Sequence, residues 1–388
     1  MKIFGYFITV LLIILFIIAV IFGVYNKYLI TPTHYFAPET YKGIAPGLGN
    51  TKDPGDTVTV LAIDGGGIRG IIPAHVLKYI EKKSGQPISK LFDLMGGTST
   101  GTIIISGLTV PDKDGKPKYS ASDELAFYNK EVPKLLRAEW YHSVLTAYGL
   151  ISPPLSSSNI EEQLKKGLGA KTVMRDSLTN VFFNAYSLKP FEPVTFTSWG
   201  PNSDYLTYQV VLGATAVPGM FPPVRIHNVE GKKAFSLIDG AIYVNNSSTL
   251  AFVESHKLFG RKKMILLSIG TGRVVKDYDF GSSAQWGLLQ WLSRDKAVSL
   301  LVAAEDEFST KQVRSMIQAM HRGKDIQFYR LNIRIPETLS NPLDASPENV
   351  KLLNEAGRKI VKENKKRLNK IIKELLKAQH LPAPTHSN

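Results

Sequence analysis

Val58-Thr59-Val60-Leu61-Ala62-Ile63-Asp64-Gly65-Gly66-Gly67-Ile68-Arg69-Gly70 joins a short apolar run to a glycine-rich turn. The run is β-branched and aliphatic, the composition of a buried strand. A helical pattern follows from Pro73 to Lys83. Twenty-seven residues after Gly70 the arrangement recurs: Leu91-Phe92-Asp93-Leu94-Met95 reads as a second strand, and Gly97-Thr98-Ser99-Thr100-Gly101 follows it. Thr102 to Leu108 then continues as an apolar helix. A serine framed by glycines at a strand-to-helix turn is held exposed and ready to attack. A glycine-rich turn entering a helix offers backbone N–H groups to negative charge. Together the two segments predict a nucleophile and an oxyanion hole.

Outward from this pair, the alternation of apolar runs and helical patterns predicts an α/β domain with a mostly parallel sheet. Further strands are expected at Val181 to Tyr186, Val194 to Phe196 and Met264 to Ile269, and further helices at Ser122 to Val132 and Asn159 to Lys166. The polar stretch Pro111 to Ser158, which contains Trp140-Tyr141-His142, reads either as a cap over the site or as a surface insertion. With 388 residues and 44% hydrophobic content the chain can bury a large core. The absence of cysteine excludes disulfides, thiolate nucleophiles and cysteine metal sites.

The net charge of +14 predicts an acidic partner, either anionic lipid or nucleic acid. Ile3 to Val24 carries no charge over 22 residues. As a helix it would reach roughly 33 Å, enough for a hydrocarbon core. Residues 1–25 are therefore expected to form a single-pass membrane anchor, with a cleaved signal and secretion as the alternative, and lipid is favoured over nucleic acid as partner. Lys2, Lys27 and Lys42 balance across that segment and set no orientation. Residues 26–56, with Pro32, Pro38, Pro46 and Pro54, read as a linker to a catalytic domain over 57–346. Residues 347–378 read as one basic amphipathic helix packed on that domain, and 379–388 as a tail. Between Lys351 and Lys377 ten Lys/Arg stand against three Glu, so a basic outer face there could also help membrane attachment.

The first glycine segment also matches the dinucleotide pattern G-x-G-x-x-G. Asp64 would set a carboxylate beside a bound pyrophosphate, and the supposed ribose strand runs into Ser99, so the acyl-transfer reading is preferred to it. A serine needs a base. None of the eight histidines sits in a distinctive turn, and His256 falls within the helix-like run Leu250 to Phe259. Asp239, in Ser236-Leu237-Ile238-Asp239-Gly240-Ala241, follows an apolar run at a strand end, where it can face a site.

These motifs resemble those of the patatin-like phospholipases, lipid acyl hydrolases with a Ser-Asp dyad. The oxyanion motif is Asp64 to Gly70, the nucleophile motif Gly97 to Gly101, and the third motif Asp239-Gly240-Ala241, followed by Asn245-Asn246. Ala214 to Pro223, Ser268-Ile269-Gly270-Thr271-Gly272 and Leu343 to Asn349 match further family segments. The resemblance implies a three-layer α/β/α domain, phospholipid as substrate, and no metal or cofactor. It implies Ser99 as nucleophile, Asp239 as base, and an oxyanion held by amides of Gly66, Gly67 and Ile68 within the Gly65 to Gly70 loop, with Arg69 adding positive potential or ordering the loop. It sets no oligomeric state. A general esterase or thioesterase on small esters, or a silent membrane-surface binding module, are the rival readings.

Overall fold

The computed structural model describes residues 54–136, 153, 155–292 and 296–382, together with Ile13 and Phe16. Strands β1 (Thr57–Ile63), β2 (Leu94–Thr98), β3 (Asn180–Leu188), β4 (Phe191–Thr197), β5 (Val224–His227), β6 (Ala234–Asp239), β7 (Lys263–Ile269) and β9 (Ile326–Leu331) form one sheet, and β8 (Arg273–Val274) pairs with β10 (Arg334–Ile335) apart from it. The sheet order is β5-β6-β3-β2-β1-β7-β9, with β4 also on β3. The pairs β3–β2, β2–β1, β1–β7 and β7–β9 are parallel, and β4, β5 and β6 pair antiparallel.

Strand alternation builds two cores. Leu61 and Ile63 face one layer, where α1 (Ile71–Ser84) packs with α8 (Pro347–Glu363) and α9 (Lys365–Ala378). Val60 and Ala62 face the other, against α6 (Ser248–Phe259) and α7 (Lys296–Ala319). Between these, α2 (Thr100–Thr109), α3 (Ala121–Lys130), α4 (Ser158–Leu168) and α5 (Thr207–Ala214) complete the first layer.

Two elements differ from the sequence pattern. Ile88–Leu91 is a turn of helix after Pro87, and β2 starts only at Leu94. Asp93 fixes that start: its carboxylate accepts from the N–H and hydroxyl of Thr59, and its own N–H donates to Thr59 O. The stretch expected as one helix over 347–378 is two, broken at Asn364, whose side-chain amide bonds back to Ile360 O. Leu353, Ile360, Leu368, Ile371 and Leu375 are buried on the domain and the cations face outward.

The expected single-pass anchor needs correction. No helix among the described residues is long and apolar enough to cross a membrane. Residues 1–25, apart from Ile13 and Phe16, lie outside the described residues, and a single-pass N-terminal anchor is not supported. A length rule read from composition does not by itself establish a span.

Candidate active site

Strand β3 brings the two key motifs together. Its residues 182–188 pair along one edge with β4. Along the other edge it pairs with β2 up to Thr98↔Asn184, and then with β6 from Asp239↔Ala185 onward. Strands β2 and β6 therefore run toward each other on one edge of β3 and meet end to end. Ser99 leaves β2 and Asp239 ends β6 at that junction. Gly240 is needed there, because a Cβ on it would lie 2.5 Å from Asn184 O. Asn184 itself donates to Thr98 Oγ1 and Ser247 Oγ, tying the nucleophile strand to the segment after Asp239.

The elbow is strained. Ser99 has φ 51° and ψ −119°, a conformation that L-residues avoid. The flanking glycines permit close strand–helix contact: a Cβ on Gly97 would lie 2.5 Å from the Gly101 backbone, and one on Gly101 would strike Ile63 O. Ser99 O caps α2 by accepting from Thr102 N and Ile103 N. Tyr128 Oη donates to Thr100 O and contacts Thr100 Oγ1.

Asp239 is buried. Its Oδ1 accepts from Ala241 N at 2.8 Å, while Oδ2 holds no hydrogen bond of good geometry. The Ser99 hydroxyl is the side-chain donor facing the carboxylate. Burial pushes the Asp239 pKa up to about 6, with Ser99 and Ala241 pulling the other way. Among the described residues no imidazole contacts Asp239. His256 lies in α6 with Nδ1 2.9 Å from Phe252 O and Nε2 3.4 Å from Arg322, and His142 falls outside the described residues. Replacing His256 by Ala is therefore expected to leave kcat within about twofold. A hundredfold loss in ester turnover would instead restore a histidine to the mechanism.

Only part of the glycine loop is free to receive an oxyanion. Gly65 N donates to Asn245 O, Ile68 N to Pro342 O, and Arg69 N to Gly66 O. The expectation that Ile68 supplies a donor is thus corrected, because its N–H is spent on the 341–344 loop. Among the described residues the N–H groups of Gly66 and Gly67 have no acceptor. Gly67 has φ 56° and packs against Pro342 O, so no other residue fits. Arg69 is buried and its Nε reaches Gly66 O, so it orders the loop. Gly70 sits against Tyr128 and Thr100 and contributes a close approach. Thr271 Oγ1 donates to Gly65 O at 2.5 Å, and a Cβ on Gly66 would collide with that threonine. Gly66→Ala is expected to lower kcat about 10²–10³-fold with KM little changed, measured on a soluble ester.

Three charged side chains outside any motif, Arg330, Asp306 and Glu305, brace this loop from behind. Arg330 grips Asp64 with both terminal nitrogens and also contacts Asp306 and Ser268. Two carboxylates keep Arg330 protonated despite its burial. Glu305 accepts from Asn245 N and Asn246 N, which holds the segment that receives Gly65. Asn245-Asn246 was legible beside the third motif. Glu305, Asp306 and Arg330 were not, since they lie more than 200 residues from Asp64 and in no pattern.

Beside Ser99 lies an apolar cavity of about 70 Å³, several times what one water needs. Ile103, Phe127, Val132, Leu136, Leu164 and Phe221 supply much of its wall. Phe127 to Leu136 belong to the stretch that read as cap or insertion, and this part of it covers the site.

A profile of the family described as patatin-like phospholipase matches residues 61–253. Patatin-like protein 1 of Arabidopsis thaliana is 30% identical over 277 residues, covering 64% of this chain and 67% of that protein. Patatin-2-Kuras 3 of Solanum tuberosum is 30% identical over 340 residues, covering 80% of this chain and 85% of its own. Probable inactive patatin-3-Kuras 1 of the same plant is 29% identical over 339 residues, covering 80% and 88%.

Proposed function

We propose, from the premise that this chain belongs to the patatin-like phospholipase family, that it is a lipid acyl hydrolase cleaving fatty-acyl esters of phospholipids through a Ser99–Asp239 dyad. The observation that carries this reading is the end-to-end junction of β2 and β6, which sets a strained serine against a buried carboxylate. The apolar cavity beside Ser99 suits an acyl chain, and a head group would remain outside it.

In this mechanism Ser99 Oγ attacks the ester carbonyl carbon and its proton passes to Asp239. A carboxylate near pKa 6 is ionised at neutral pH yet basic enough to share that proton. The oxyanion lies against the N–H groups of Gly66 and Gly67. Collapse expels the lysolipid alkoxide, which takes the proton from Asp239. Water, deprotonated by Asp239, then attacks the acyl-serine; the fatty acid leaves and Ser99 regains its proton. One potato relative carries the word inactive in its name, so turnover itself is the point to test. An alkyl fluorophosphonate is expected to stop fatty-acid release from phospholipid vesicles in EDTA and, with Ser99 Oγ displacing its fluoride, to leave the peptide containing Ser99 heavier by the reagent less HF. An adduct elsewhere, or release that persists from labelled protein, would overturn the reading.

A further inference from the structure

Large apolar side chains are exposed almost entirely on one edge of this domain. The Ser99 junction lies at the C-terminal ends of the parallel strands. The β3–β4 hairpin rises three residues beyond it, about 10 Å, and presents Leu188 and Phe191, the latter 77% exposed. Phe191 stacks edge-on to Tyr186, which contacts Tyr243, and Ile242 is exposed three residues after Asp239. On the other side of the mouth the chain leaving β7 exposes Val275, Phe280 (85%) and Leu288. Helix α7 then exposes Leu301 and Phe308 while turning Glu305 and Asp306 inward to Asn245, Asn246 and Arg330. Only its first turns depart from the usual amphipathic order, since Val313 and Ile317 are buried and Lys311 and Arg314 exposed farther along. The opposite edge carries Asp56, Lys263, Lys324, Asp325 and Lys377, and no exposed large apolar residue among the described residues.

Resting on the hydrolase reading above, we propose that this rim lies against a phospholipid bilayer, with the hairpin tip on one side of the Ser99 mouth and Val275, Phe280, Leu288, Leu301 and Phe308 on the other inserting into it. Charge favours lipid over a second copy of the chain. Two copies, each carrying a net +14 over the whole chain, would repel, whereas an anionic bilayer attracts that charge. Lys189 stands at the hairpin tip beside Phe191, and Lys296 lies 3.9 Å over the ring of Trp286, which meets Trp291 edge to face. Cations and indoles flanking exposed Phe and Leu suit the headgroup boundary. Helix α7 would join docking to chemistry, because Glu305 and Asp306 in the same turns brace the oxyanion loop.

The test uses the full chain carrying Phe191→Trp, Phe280→Trp or, on the opposite edge, Lys324→Trp. Each is mixed with phosphatidylcholine–phosphatidylglycerol vesicles containing brominated lipid, and quenching above the parent's background is read. Quenching at both rim positions and none at Lys324→Trp is expected. Equal quenching at all three, quenching only at Lys324→Trp, or no vesicle binding would overturn the proposal. Phe191→Ser and Leu301→Gln should each lower vesicle hydrolysis about tenfold and leave turnover of a soluble short-chain ester unchanged. A wild-type dimer that these changes split to monomers would make the rim a self-association surface and overturn it too. Absence of soluble-ester turnover in the wild type would defeat the hydrolase reading alone, since the quenching result stands without catalysis.

Discussion

Ser99→Ala is expected to reduce fatty-acid release by about 10⁴–10⁶-fold, the range seen when a nucleophile is removed and only binding and oxyanion stabilisation remain. Alanine at φ 51° bears the same backbone strain as serine, so the elbow should keep its shape. Gly97 and Gly101 still allow the close strand–helix contact, and Ser99 O still caps α2. What disappears is the hydroxyl facing Asp239. That hydroxyl is one of the two groups lowering the carboxyl's pKa, so the variant's Asp239 should titrate higher than in the parent. Release is assayed on phospholipid vesicles and on a soluble ester, with thermal unfolding as a control. Retention of more than about one hundredth of parent turnover by a folded variant would remove Ser99 from the role of nucleophile.

Asp239→Asn is expected to cost about 10³–10⁴-fold in kcat, because an amide cannot accept the serine proton. Its carbonyl oxygen can still accept from Ala241 N, so the turn survives. The wild-type pH profile should show an acid limb near pH 6, falling about tenfold per unit below it, since the base must be ionised. Stability should run the opposite way. A carboxyl raised from 3.8 to about 6 binds its proton more readily folded than unfolded. Its ionisation therefore penalises the folded state by about 3 kcal/mol above pH 6, and the penalty fades as pH falls through 6 toward 3.8. The Asn variant, free of that burden, should unfold at a higher temperature than the parent at pH 7, with the difference shrinking at pH 4. An Asn variant that turns over normally, or that is less stable at pH 7, contradicts a buried ionised base.

This opposition between function and stability explains why the site must be braced. A buried carboxylate, a serine at positive φ and two unpaired amides each oppose folding. They persist because Arg330, Glu305, Asn245 and Pro342 fix the surrounding loops. Those braces left little trace in the sequence. Glu305 and Asp306 sit in the first turns of a helix where Leu301 and Phe308 are exposed, so periodicity alone would turn those two inward. Likewise Ile68 read as an oxyanion donor, since nothing local announces that Pro342, over 270 residues away, takes its N–H.

Local chemistry alone determined the strand–turn–helix units, because glycine, serine and β-branched residues restrict the backbone within a few residues of themselves. It also determined that Ser99 and Asp239 would each stand at a strand end beside glycine. Their meeting belongs to the tertiary structure. It depends on β6 pairing antiparallel with β3 at one register, Asp239 opposite Ala185, on the edge that β2 vacates at Asn184. Register between residues 54 apart in the chain, Ala185 and Asp239, is decided by how whole faces pack, and a shift of one residue would turn Asp239 away from Ser99.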